Sequence, residues 1–110
     1  MPTETLQLLQ GTLDVLVLKT LTWGPNHGYG VARWIRTVTD DALSIEDGAL
    51  YTALHRLEKR RWVQSEWGLT GEGRRVKQYA ITVAGKRALV AQSAQWHRYV
   101  TAVAKVLQPA

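Results

Sequence analysis

Cysteine is absent from the sequence, and this absence excludes disulfide bonds, thiolate catalysis and cysteine-ligated metal sites. No stretch approaches the roughly 20 apolar residues that are needed to cross a bilayer. The N-terminus lacks a basic segment ahead of an apolar run, so we expect no secretion signal. These absences predict a cytoplasmic protein without a membrane segment.

The residue combinations that carry catalysis are also missing. The histidines His27, His55 and His97 are scattered and lack the spacing of a metal-binding helix. The carboxylates form no inward-facing pair suited to acid–base work. The glycines of Gly28-Tyr29-Gly30 do not follow a predicted strand, as a dinucleotide-binding loop would. We therefore expect neither an enzyme nor a bound metal or cofactor.

Positive charge is in excess, and it is concentrated in one segment. The formal net charge is +5, and residues 56–77 hold seven of the fourteen Lys and Arg but only three acids. A basic surface attracts a polyanion such as nucleic acid or an anionic membrane surface, and charge alone does not distinguish between them. The clustering predicts one basic region rather than a uniformly basic surface.

Hydrophobic periodicity predicts three helices in the first half of the chain. Apolar residues at three- and four-residue steps predict a helix over 6–21, which the breaker cluster of residues 23–26 ends. A second helix of about ten residues follows, with four residues predicted to face inward: Val31, Trp34, Ile35 and Val38. A third helix runs from residue 46 or 47 to 60, with acids at its start and bases at its end, as the helix dipole favours.

The second half predicts a β-hairpin and a long helix. Residues 62–69 and 76–81 have the pattern of strands, joined by the glycine-containing loop 70–75. Thr82 is suited to cap a final helix that ends near residue 107. Heptad-like spacing places five residues on one side of this helix: Leu89, Trp96, Val100, Val103 and Leu107.

This order of elements is typical of a winged helix-turn-helix protein, mainly α with a small β-hairpin. We predict a DNA-binding domain over residues 1–82 and a C-terminal dimerisation helix over residues 83–110.

The third predicted helix divides into an apolar and a polar side. Leu50, Leu54 and Leu57 form a narrow stripe that faces a core. The other side presents Ala49, Thr52, His55, Arg56 and Lys59. A recognition helix needs this division, because one side anchors the helix while the other offers hydrogen bonds to base edges in the major groove. The alternative is a solvated helix with a basic end.

The hairpin loop and two tyrosines complete the predicted DNA surface. Arg74 and Arg75 at the tip, with Lys77, are placed to contact phosphates or enter the minor groove. Tyr51, Tyr79 and Tyr29 all have polar tips that suit phosphate oxygens, with packing against the protein as the alternative for each; we place Tyr51 and Tyr29 on this surface, with Tyr51 preferred. The competing hypothesis is a winged-helix protein-interaction module without DNA readout. The clustered basic charge favours double-stranded DNA as the partner.

Four stretches of the sequence carry a family resemblance. They are LQGTLD (9–14), WGPNHGYG (23–30), GALYTALHRLE (48–58) and RRVKQYAIT (74–82). In this order they resemble the PadR family of bacterial transcription regulators, over roughly residues 6–90. The resemblance implies a homodimeric repressor on an inverted repeat, with the C-terminal helix against the partner's N-terminal helix. The implied interface combines the five heptad-spaced residues of the last helix with Leu6, Leu9 and Leu13.

The resemblance also implies a ligand site, and this sequence differs from the usual family residues at three positions. Some relatives bind planar aromatic compounds through a tryptophan of the C-terminal helix, and Trp96 stands in that helix here, with plain interface packing as the alternative. The family often has Ser or Thr at Ala49 and Pro at Thr52, so a different DNA sequence is expected. It usually has Gly at Arg61, where a left-handed Arg costs roughly 1 kcal/mol relative to Gly.

Overall fold

The computed structural model describes residues 11–109, which form four helices and a three-stranded antiparallel sheet of order β1-β3-β2. The helices are α1 (Thr12–Leu21), α2 (Gly28–Val38), α3 (Asp47–Lys59) and α4 (Val83–Leu107). The strands are β1 (Asn26–His27), β2 (Val63–Leu69) and β3 (Arg75–Ile81). Residues 6–10 of the first predicted helix, with Leu6 and Leu9, lie outside the described residues.

One apolar core joins α1, α2, α3 and the sheet, because each helix buries a single stripe. Its buried members are Val17, Leu18, Leu21, Val31, Ile35, Leu50, Leu54, Leu57, Val63 and Tyr79. The predicted leucine stripe of α3 is thereby confirmed. The inward placement of Val38 was wrong, since this side chain is 57% exposed. Val38 is the last residue of α2, where the helix extends beyond the core cluster.

The shortest strand was not predicted from the sequence. Asn26 and His27 pair with Tyr79 and Gln78 of β3, where the pattern indicated only a break between helices. Two residues are too few to show the alternation that marks a strand. His27 also begins α2, because its Nδ1 accepts a hydrogen bond of 3.0 Å from the backbone N–H of Gly30.

Strands β2 and β3 with their loop form the predicted hairpin, which we call the wing (residues 63–81). The register runs from Val63 opposite Ile81 to Leu69 opposite Arg75. Strand β3 begins at Arg75, so the loop covers residues 70–74. It is closed by a hydrogen bond of 2.8 Å from the backbone N–H of Thr70 to the carbonyl of Arg74.

Helix α4 begins at the predicted cap and then extends away from the core. The Thr82 hydroxyl accepts a hydrogen bond of 3.0 Å from the backbone N–H of Gly85, and Gly85 is the one buried residue of the helix. Leu89 still packs against the core, whereas every residue from His97 to Pro109 is exposed. Among residues 11–109, no helix combines the length and the apolar character that crossing a bilayer requires.

Arg61, just past the end of α3, is left-handed, so the penalty considered for this position applies. Its φ is +62°, in the left-handed region. The backbone N–H of Arg61 donates to the carbonyl of Glu58, and that of Trp62 donates to the carbonyl of Leu57, both at 3.0 Å. This pair of bonds is the Schellman arrangement, in which glycine is the usual left-handed residue.

Replacing Arg61 with glycine should therefore raise the free energy of unfolding by about 1 kcal/mol, because glycine removes the left-handed penalty of a Cβ. Urea denaturation measures the difference. The matched control is Arg60→Gly, which removes the same charge at a residue with φ of −79° and should be destabilising. Equal effects of the two substitutions would contradict the strain assigned to Arg61.

Candidate nucleic-acid interface

The outer side of α3 is open over its whole length. Ala49, Thr52, His55 and Lys59 are exposed, while the opposite side is anchored by the buried leucines. Four of the five residues predicted on this side are thus brought together on one accessible face. Small and hydrogen-bonding side chains at these positions can approach base edges in a major groove.

Arg56, the fifth predicted residue, is bonded within the fold. Its Nε donates to Asp14 Oδ2 at 3.2 Å, and its Nη2 makes a second, shorter contact with Oδ1. Asp14 is only 6% exposed, and its hydrogen bond raises the pKa of Arg56, although burial opposes the shift. The guanidinium therefore ties α3 to α1. The two residues are 42 positions apart, and no periodicity within one helix could have predicted the pair.

Tyr51 lies at the edge of the open face of α3, and Tyr29 lies in the first turn of α2. Tyr51 is 49% exposed, and its ring covers Gly28 so closely that a Cβ there would lie 2.9 Å from the ring. Tyr29 is 64% exposed, and its ring lies nearly parallel to that of His27 with 6.3 Å between centroids. Tyr51 therefore combines packing against α2 with an accessible edge.

Glu58 fastens the wing to the end of α3. Ser65 Oγ donates to the Glu58 carboxylate in a short hydrogen bond, and Lys77 Nζ lies 3.5 Å from its other oxygen. Lys77 also lies over the ring of Tyr79, 5.6 Å from the centroid. These contacts place the side of the wing that carries Ser65 and Lys77 next to α3.

The predicted basic tip of the wing is solvent-accessible. Arg74 in the loop and Arg75 at the start of β3 are both exposed. The guanidinium carbon of Arg75 lies 4.7 Å from the centroid of the Trp67 ring. Two cations therefore extend the open surface of α3 along the wing.

A second feature lies between α1 and α4. Trp96 is half-buried and borders two grooves of about 390 and 410 Å3. Thr12 and Val15 of α1 also line both grooves. Leu13 and Leu89 pack against the core, whereas Val100, Val103 and Leu107 are 38%, 36% and 75% exposed.

Three helices, a β-hairpin beside the third of them, and an open polar face on that helix define a winged helix-turn-helix protein. The family model described as "Transcriptional regulator PadR-like family" matches residues 17–91. The chain belongs to this family, whose members are DNA-binding regulators rather than enzymes.

Solved structures and a relative of known sequence are similar to this chain. A transcriptional regulator from Clostridium thermocellum is 29% identical with a TM-score of 0.80, covering 87% of this chain and 93% of that one. A PadR family regulator from Eggerthella lenta DSM 2243 is 35% identical with a TM-score of 0.75, covering 92% and 86%. An uncharacterized protein of Lysinibacillus sphaericus is 28% identical over 89 residues, 81% of this chain and 82% of its own.

Proposed function

We propose that the protein is a cytoplasmic homodimeric repressor that binds an inverted-repeat operator. The observation that carries the proposal is the continuity between the open face of α3 and the basic tip of the wing, joined through Glu58. In each half-site Ala49, Thr52 and His55 face base edges. The residues that hold phosphates are Tyr29, Tyr51, Lys59, Arg74, Arg75 and Lys77. Arg56 also belongs to the predicted base-facing set: Asp14 engages its Nε and Nη2, and its side chain is still 41% exposed, with N–H groups left to offer to a base edge.

Selection from random duplex DNA at two salt concentrations tests the proposal. We expect enrichment of an inverted repeat whose half-sites are separated by about 34 Å, one helical turn, because two recognition helices then enter successive major grooves. Salt-sensitive retention without an enriched sequence would contradict specific recognition. An absence of binding even at low salt would favour the protein-interaction alternative.

Replacing both Arg74 and Arg75 with alanine should weaken binding to all duplexes to a similar degree. Each lost phosphate contact reduces the slope of log K against log salt by about 0.9, so we expect a reduction of up to about 2. Electrophoretic mobility shifts or fluorescence anisotropy at four salt concentrations measure the slope. The control is Lys86→Ala with Arg87→Ala, two exposed cations of α4. The control should keep the wild-type slope, and an unchanged affinity and salt slope in the Arg74 and Arg75 variant would refute the role of the wing.

We also propose that residues 1–82 bind DNA and that residues 83–110 form the dimer. The exposed valines and leucine of α4 are the support, because a helix with an uncovered apolar side is stabilised by a partner. The proposed interface joins Leu6, Leu9 and Leu13 of one protomer to residues of α4 in the other: Leu89, Trp96, Val100, Val103 and Leu107.

Replacing Val103 and Leu107 with aspartate should produce monomers and lower operator affinity at least tenfold, since linked half-site binding is lost. Sedimentation velocity and anisotropy measure the two effects. The control is Thr101→Asp, an exposed residue outside the heptad-spaced set. A variant that remains dimeric with full affinity would overturn this interface.

We also propose Trp96 as the contact for a small planar aromatic effector. The two grooves beside its ring support this assignment. Such a ligand would alter DNA binding by favouring one dimer geometry. Titration with planar aromatic compounds, followed by tryptophan fluorescence in the protein and in Trp96→Ala, is the test. A response that survives in the variant would assign the ligand elsewhere.

A further inference from the structure

Two large apolar side chains lie uncovered near the tip of the wing. Trp67 is 59% exposed and Leu69 is 71% exposed. Both are in β2 and point to the same side of the hairpin, since side chains alternate along a strand. Because the two side chains are neighbours on one side of the hairpin and are bordered by cationic residues, they form a small contiguous apolar patch of the kind that marks an interaction site.

The strand register shows which way this pair points. Ser65, two residues before Trp67, donates to Glu58 of α3, so Trp67 lies on the side of the wing that is next to α3. Lys77 is directly opposite Trp67, and Arg75 is directly opposite Leu69. The apolar pair is therefore continuous with the basic surface of α3 and the wing.

Arg75 and Trp67 form one unit. The Arg75 guanidinium lies over the indole with 4.7 Å between its carbon and the ring centroid. A cation held on an aromatic face keeps its outward N–H groups free for acceptors. The charge held on the indole favours a polyanionic partner for this patch over an apolar protein surface.

We propose that Trp67 and Leu69 form an apolar wedge that packs into the minor groove beside each half-site, with Arg75 carried on the indole. The inference rests on the DNA-binding function proposed above. Apolar side chains in a minor groove contact sugar edges and separate base steps, and the accompanying cations follow the groove's negative potential. The 2-amino group of guanine projects into this groove and obstructs a close apolar contact. The wing therefore discriminates against guanine in the flank of the operator.

The test uses the duplex that the wild-type protein selects from the random pool. Anisotropy gives the affinities of the wild type, Trp67→Ala and Trp67→Phe. We expect Trp67→Ala to bind about tenfold or more weakly with an unchanged salt slope, because a lost aromatic contact releases no counterions. Trp67→Phe should retain most of the affinity. The matched control is Trp23→Ala, which removes an indole that is 72% exposed at the end of α1 and should bind as the wild type does.

Inosine substitution in the flanking base pairs locates the contact. Replacing guanine with inosine removes the 2-amino group and leaves the major-groove edge unchanged. The wild type should bind the inosine duplex several-fold more tightly than the guanine duplex, and Trp67→Ala should bind the two equally.

Several results would overturn the wedge. One is that Trp67→Ala binds the selected duplex with full affinity. Another is that Trp67→Ala still distinguishes guanine from inosine. A third is that Trp67→Ala has a different oligomeric state in sedimentation velocity, which would make the patch a contact between copies of the chain. In each of these cases a salt slope lowered by the Arg74 and Arg75 substitutions would leave the DNA-binding proposal intact. Failure of the wild type to select any duplex would refute both.

Discussion

Replacing Gly85 with alanine is expected to lower the free energy of unfolding by about 3 kcal/mol, at the upper end of the cost of overpacking. An added Cβ would lie 2.0 Å from the carbonyl oxygen of Trp62 and 2.8 Å from Cγ1 of Ile81. The Trp62 oxygen cannot withdraw freely, because it accepts a hydrogen bond of 3.0 Å from the backbone N–H of Thr82. The substitution therefore separates the start of α4 from the end of α3 and the wing.

Urea denaturation of the full chain measures this effect. The matched control is Gly48→Ala in α3, where an added Cβ meets nothing within 4 Å. Alanine is the better helix former by about 1 kcal/mol, so the control should be stabilised. A stabilised Gly85→Ala would mean that α4 does not approach the Trp62 carbonyl as closely as described.

Replacing Arg56 with alanine is the second substitution with a large expected effect. It leaves the carboxylate of Asp14 buried without its partner, and we expect a loss of about 2–3 kcal/mol. Asp14→Ala should cost less, about 1 kcal/mol, because the Arg56 side chain is 41% exposed and can turn toward water. The order of the two effects follows from the unequal burial of the pair.

The double variant completes the comparison. Removing both partners leaves no unpaired buried charge, so Asp14→Ala with Arg56→Ala should be more stable than Arg56→Ala alone. Urea denaturation of the four proteins gives the coupling free energy. Strictly additive losses would show that the ion pair contributes nothing between α1 and α3.

The sequence predicted the fold well where a local pattern was sufficient. The stripe of Leu50, Leu54 and Leu57 and the Thr82 cap depend on neighbours a few positions away, and both are confirmed. Strand β1 and the exposure of Val38 depend on where distant elements end, which periodicity does not encode.

The candidate interface was predicted in outline from charge and helix periodicity. The roles of its residues stay predictions, although the structure brings Thr52, His55 and Lys59 onto one open face. The ion pair of Arg56 with Asp14 could not be predicted from a local pattern, because the two residues are 42 positions apart. Trp67 was predicted to be in a strand, but alternation alone does not distinguish a covered side from an open one.

The shared carboxylate of Glu58 has a consequence for the kinetics of recognition. Because Ser65 and Lys77 both bind it, the wing is already aligned with α3 before any partner arrives. A preorganised surface loses little conformational entropy on association and needs no slow rearrangement after the first encounter. Disrupting this carboxylate would therefore slow the formation of a complex even if every residue that touches the partner were left in place.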